Sequence, residues 1–164
     1  MPDPDPVVQR LIDAGCTVAT AESITGGRLA ARLTDGAGAS SAFLGAVVTY
    51  ATEVKISVLG VPEALVDDHG VISAECARSM AEKVRTLMGT TYGVSTTGVA
   101  GPDSQEDQPV GTVFVGVAGP ADTDVRQLAL DGGRMEIQKQ TVAEAMSALT
   151  AMVVDAEERS SAGR

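Results

Sequence analysis

The chain has 164 residues, with 22 acidic against 12 basic side chains and a formal net charge of −10. Such a field repels phosphate backbones, and an aromatic content of 2% without a single Trp leaves almost no stacking surface. Together these argue against a nucleic-acid partner. The 44% hydrophobic content suits one globular domain with an aliphatic and methionine core.

The first residues, MPDPDP, are acidic and proline-rich, unlike a signal peptide, and residues 1–6 and 156–164 read as flexible ends around a domain at 7–155. No apolar run reaches the ~20 residues of a membrane span, so a cytoplasmic location is expected. VVQRLIDAG reads as a short helix stopped by Gly15, and CTVATA as a short strand. GGRLAARLTDG has Leu29 and Leu33 one helical turn apart and Gly36 as a stop. AFLGAVVTY is almost continuously apolar, the pattern of a strand covered on both faces. ATEVKISVLG is helical, and so is a short turn from Pro62. SAECARSMAEKVRTLMG is the clearest helix: Ser73 caps it, Cys76, Met80, Val84 and Leu87 share a face, and Gly89 ends it. YGVSTT is a strand, GVAGPDSQEDQPVG a turn-rich loop, TVFVGVA and VRQLALD a hairpin, and RMEIQKQTVAEAMSALTAMVVDA a long closing helix. Helices between strands, followed by a hairpin, predict a single α/β domain with an antiparallel part. Cys16 and Cys76 fit no metal or redox spacing and read as small core residues.

Ser23, in TAESITGG, stands where a strand ends and a helix begins. That position suits a helix cap, and it equally suits a nucleophile beside free backbone N–H groups that can hold an oxyanion. The flanking residues are not those of a G-x-S-x-G elbow. The single histidine, His69 in DDHG, fits a helix end better than a catalytic base, and Asp67, Asp68 and His69 in succession cannot converge on one metal. The remaining base type is lysine, which accepts a proton only when neutral and loses its charge readily when buried. Lys55, in TYATEVK, follows an apolar strand; Lys83 and Lys139 have charged neighbours and read as solvated. From spacing alone Lys55 also fits a surface residue. DGAGASS is a weak nucleotide motif, whereas TTGVAGP, residues 96–102, combines hydroxyls with flexible backbone after a strand. Both also fit ordinary tight turns.

The blocks AESITGG, VTYATEVK followed by LGV, HGVIS, TGVAGP and PVGTV, in that order over about residues 17–113, resemble the CinA C-terminal domain family, the nicotinamide-nucleotide amidases; GGR at 132–134 extends the match. The resemblance implies a three-layer α/β/α sandwich with a mixed sheet. It implies hydrolysis of the carboxamide of nicotinamide mononucleotide to nicotinate mononucleotide and ammonia, without a metal or cofactor. The family's serine nucleophile falls on Ser23 and its lysine on Lys55, with Tyr50 and Thr97 at assisting positions. Thr25, Gly26, Gly27, Gly98, Gly101 and Arg134 fall in segments expected near the ligand. The amides at the start of the TGGRLAARL helix are expected to stabilise the oxyanion, and Arg134 to grip the phosphate. A homo-oligomer, most simply a dimer, is expected from the family.

The chain departs from the family pattern at Ile24, where a cysteine is usual, at GPDSQED, which replaces a glycine-rich GPxGGS, and at Gln108 and Gln138, which replace cations. The catalytic pair is intact and the anion-binding side is thinner. Two other functions fit those departures: a non-catalytic nucleotide-binding or regulatory module, and an amidase for an unphosphorylated amide.

Overall fold

The computed structural model describes residues 2–164. Its order is α1 (Pro6–Ala14), β1 (Val18–Glu22), α2 (Arg28–Leu33), a 3-10 turn (Ala39–Ser41), β2 (Phe43–Val48), α3 (Thr52–Ser57), α4 (Glu63–His69), α5 (Ala74–Met88), β3 (Tyr92–Gly98), β4 (Thr112–Ala118), β5 (Thr123–Ala129) and α6 (Arg134–Ala162). The five strands form one sheet in the order β2-β1-β3-β4-β5. β1 is parallel to β2 and β3, and β4 runs antiparallel to β3 and β5. Helix α5 covers β1, β3 and β4 on one face, while α1, α2 and α6 pack together on the other. This is the expected three-layer α/β/α sandwich with a mixed sheet.

Period-two alternation divides β1 between the two layers. Val18 joins the α1/α2/α6 core, and Ala19 and Ala21 join the α5 core with Cys76, Met80 and Val84. Asp5 caps α1 by accepting from the Val7 amide, Ser73 caps α5 by accepting from the Cys76 amide, and Gly15 and Gly89 close the same two helices in left-handed conformation.

Four details differ from the sequence expectation. β2 is an edge strand, because β1 has β3 on its other side; Leu44 is 50% and Val48 46% exposed. Leu87 is 53% exposed, and Met88 beside it packs against the core instead. α2 stops at Thr34, whose hydroxyl and amide both return to the Ala31 carbonyl, before Gly36 is reached. Residues 156–162 continue α6, where Glu157 pairs with Arg10 at 2.7 Å and Arg159 with Asp122 at 3.6 Å. Cys76 is buried as expected, and Cys16 is half-buried.

The parallel strands end level with one another. Glu22 is in register with Val48 on one side and Thr96 on the other. The chain leaves β1 towards β2 on one side, and leaves β2 to reach β3 on the other. In open α/β sheets this reversal opens a crevice beyond the carboxyl ends of the strands. Ser23 is the first residue beyond β1; its amide donates to the Thr96 carbonyl at 3.0 Å, and the Thr49 amide donates to the Glu22 carbonyl at 2.9 Å.

Glu22 fixes this end of β1. Its fully buried carboxylate accepts on Oε1 from Thr25 Oγ1 (2.6 Å), the Gly27 amide (3.2 Å) and the Leu29 amide (2.9 Å), and on Oε2 from Thr20 Oγ1 (3.1 Å) and the Ala30 amide (2.9 Å). The hydroxyl of Thr25 has given its proton to Glu22, so Thr96 Oγ1, 2.7 Å away, donates to Thr25. The carboxylate thus caps α2 from the strand before it. Glu22→Gln replaces one acceptor oxygen by an NH2 that faces N–H and O–H donors. We expect it to lower unfolding free energy by about 3 kcal/mol, read from the midpoint of urea unfolding at unchanged slope. A loss below about 1 kcal/mol would show that the cap is dispensable.

Candidate active site

Lys55 is the one buried residue of α3, with 1% of its surface exposed. The helix starts one turn beyond β2 and turns this side chain back under the ends of β1 and β2. Its Nζ lies 2.9 Å from Ser23 Oγ, 2.7 Å from the Thr49 carbonyl oxygen and 3.2 Å from the Tyr50 carbonyl oxygen. Burial pulls the Lys55 pKa below the ordinary lysine value, against weaker opposition from Cys76, Glu106 and Glu53. The Cys76 thiol is itself pushed up to about 11 by burial.

Ser23 and Lys55 open into a cleft of about 480 Å³. Its other walls include Tyr50, Ile72, Gly98, Gly101, Asp103 and Arg134. Arg134, the first residue of α6, donates from Nη1 to the Gly101 carbonyl and from Nη2 to the Tyr50 hydroxyl, both at 2.7 Å. Tyr50 is 59% exposed and stands at the rim. The two lie 84 residues apart in the chain.

Several residues expected at the site are placed differently. The Thr97 hydroxyl donates to the Val71 carbonyl at 2.7 Å, so this side chain ties β3 to the segment before α5. Thr25 is fully buried and its hydroxyl belongs to the Glu22 network. The Gly27, Leu29 and Ala30 amides, expected to be free for an oxyanion, all donate to Glu22. The amides of Ile24 and Thr25 have no acceptor among the described residues. Gly26 and Gly27 have φ of 56° and 101°, the left-handed region where a side chain is strained, and so turn the chain from β1 into α2. Gly98 packs flat on β4: a side chain there would meet the Thr112 carbonyl and Val113.

Three roles were not visible in the sequence. Glu106 sits in a tight turn with Asp107, both at positive φ, and the Gln105 and Gln108 backbones pair around them. Its carboxylate accepts from the Val71 amide at 2.9 Å and the Ile72 amide at 3.1 Å, so it pins the acidic loop to the cleft wall. Gly70 has no side chain at the place this carboxylate occupies. Gln138, 5% exposed, donates to the Ile24 carbonyl at 3.1 Å and braces the residue after Ser23. Glu22 has a faint signal in retrospect: an acidic residue ending an apolar strand before a Thr-Gly-Gly turn.

A family model described as the CinA C-terminal domain matches residues 4–153. A CinA-like protein of Frankia casuarinae is 50% identical over 147 residues, which is 90% of this chain and 34% of that protein. The chain spans about a third of the length of the curated relatives it matches. A CinA superfamily protein from Klebsiella pneumoniae 700603 has a crystal structure that superposes with a TM-score of 0.88 at 32% identity, covering 91% of this chain and 94% of the other. The competence/damage inducible protein CihA from Agrobacterium tumefaciens gives a TM-score of 0.83 at 31% identity, covering 92% and 98%. With the sequence blocks, the sheet order and these matches in agreement, the chain belongs to the CinA C-terminal domain family.

Proposed function

We propose that the protein is a serine amidase that hydrolyses the carboxamide of nicotinamide mononucleotide to nicotinate mononucleotide and ammonia. The observation that carries this reading is the 2.9 Å approach of a buried lysine to a serine at the mouth of a cleft. A neutral amine has two N–H donors and one lone pair. At Lys55 the Thr49 and Tyr50 carbonyls accept the two donors, which leaves the lone pair for the Ser23 hydroxyl proton.

In this mechanism Ser23 Oγ attacks the amide carbon as its proton passes to Lys55 Nζ. The negative charge that develops on the amide oxygen meets the Ile24 amide, which lines the cleft and has no acceptor among the described residues. Collapse of the tetrahedral adduct breaks the C–N bond, and Lys55 passes its proton to the leaving nitrogen, which departs as ammonia. Water then attacks the Ser23 ester, gives a proton back through Lys55 to Oγ, and leaves as part of the nicotinate carboxylate. Tyr50 and Arg134, joined to each other, form the rim against which the rest of the substrate lies.

The departures from the family pattern take a definite form in this reading. The Val71 and Ile72 amides hold the Glu106 carboxylate in a fixed place on the cleft wall. Asp103 remains exposed on the cleft wall.

Ammonia release from nicotinamide mononucleotide tests the proposal. We expect Ser23→Ala and Lys55→Ala each to lose at least ~10³-fold in kcat/KM while circular dichroism and the thermal midpoint stay close to wild type. Turnover within tenfold of wild type in either variant would reject the Ser-Lys mechanism, and an inactive wild type that still binds the nucleotide would favour the non-catalytic module.

The sign of the pH effect follows from Lys55. Only the neutral amine accepts the Ser23 proton, so kcat/KM rises with pH through the Lys55 midpoint and levels above it. Because burial lowers that midpoint, the plateau begins below the ordinary lysine range. A rate that falls with rising pH across this limb would assign the base role elsewhere.

A further inference from the structure

We infer that Arg28 is the second phosphate-binding cation of this protein and, with Arg134, selects a phosphorylated substrate in a lobe of the cleft that the Ser23 pocket does not contain. The inference rests on the amidase reading for the identity of the substrate.

A second cavity of about 510 Å³ adjoins the Ser23 cleft and shares Tyr50 and Arg134 with it as walls. Gly26, Arg28, Met135 and Gln138 complete its lining. The Ser23 cavity has carboxylates as well as cations, Lys55 and the shared Arg134, on its walls. Asp103 and Glu106 line the Ser23 side, whereas the second lobe is lined by two guanidinium groups and no carboxylate. Neither Arg28 nor Arg134 has a salt-bridge partner among the described residues. A dianionic phosphate in this lobe meets attraction alone, while one placed beside Asp103 meets repulsion.

The geometry leaves both guanidinium groups able to bind. Arg134 uses one N–H of each Nη on Gly101 and Tyr50 and keeps the rest of its donors. Arg28 holds itself in place with one donor, Nη1 to the Thr25 carbonyl at 3.3 Å. Gly26 has no side chain there, and an added Cβ would stand 3.6 Å from the same Nη1. Gln138 is turned inward onto the Ile24 carbonyl and offers the lobe no charge. The cation that the family pattern places at position 138 is therefore supplied here from α2, one turn after the nucleophile. Arg28 is carried by the same Thr-Gly-Gly turn as Ser23, so phosphate binding and the position of the attacking hydroxyl share one rigid loop.

The test compares a nucleotide with its nucleoside. Calorimetry on Ser23→Ala, which retains substrate, is run with nicotinamide mononucleotide and with nicotinamide riboside, and repeated on the Ser23→Ala/Arg28→Ala double variant. The expected result is a loss of about 30-fold in nucleotide affinity and no more than about twofold for the nucleoside. In ammonia release, Arg28→Ala alone should raise KM for the nucleotide by a similar factor with kcat within about threefold, and Arg28→Lys should recover part of the loss. Equal loss for nucleotide and nucleoside, or an unchanged KM in an active Arg28→Ala enzyme, overturns the inference and leaves the amidase standing. Arg28-dependent nucleotide binding without any ammonia release by wild type overturns the amidase and keeps the phosphate subsite. No nucleotide binding at all overturns the subsite.

Discussion

The carboxylate of Glu22 is fully buried, has no salt-bridge partner among the described residues, and accepts from two hydroxyls and three backbone amides. Helix α2 is only six residues long, too short to persist by its own hydrogen bonds. Its first-turn amides would be buried without acceptors if the carboxylate were absent. Glu22 therefore sets the distance and angle between the end of β1 and the start of α2, and Ser23 to Gly27 must bridge that fixed gap. The Gln138 contact to the Ile24 carbonyl clamps the same bridge from α6. Ser23 stands on a loop with both ends and its middle tied down.

Lys55 is held by the opposite logic. A buried ammonium costs free energy that pairing with a carboxylate would offset, and here the atoms within hydrogen-bond reach are carbonyls and a hydroxyl. Three oxygens satisfy the three donors of an ammonium, and the same set satisfies an amine when the hydroxyl donates, so it is burial that favours the neutral form. The level ends of β1, β2 and β3 bring all three groups to one place, since each strand delivers its next residues into the crevice. The fold thus supplies a dry, neutralising environment at the one point where a serine is waiting. Stability at low pH is the counterpart. The unfolded chain binds a proton on Lys55 more tightly than the folded one, so stability contributed at this residue rises with pH between the lowered folded midpoint and the unfolded one.

An acidic chain can still hold a locally basic cleft. Net charge acts over the Debye length, while a phosphate in a cleft responds to its immediate neighbours. The acidic loop that replaces a glycine-rich one folds into a tight turn, and Glu106 becomes a fastener between that loop and the start of α5. Across the Tyr50–Arg134 bridge, Arg28 and Arg134 line a lobe whose walls include no carboxylate.

The sequence by itself determined the element order, because periodicity, Ser73, Gly15 and Gly89 are local signals read within a few residues. It also marked Ser23, Lys55, Tyr50 and Arg134, since they lie in short blocks with a recognisable order. It placed β2 wrongly as a strand covered on both faces: an apolar run records residue type, and only strand order decides which strand lies at an edge. The tertiary structure alone decided which donors were free. Thr97 meets the Val71 carbonyl across 26 residues, and Thr25 and the first amides of α2 meet Glu22 only because the turn after β1 folds the helix start back over the strand end. Likewise Gln138 meets Ile24 across 114 residues, and Arg28 comes beside Arg134 only when α2 and α6 pack together. Local patterns fix what a residue can donate or accept; which group it meets is set by contacts between segments distant in sequence.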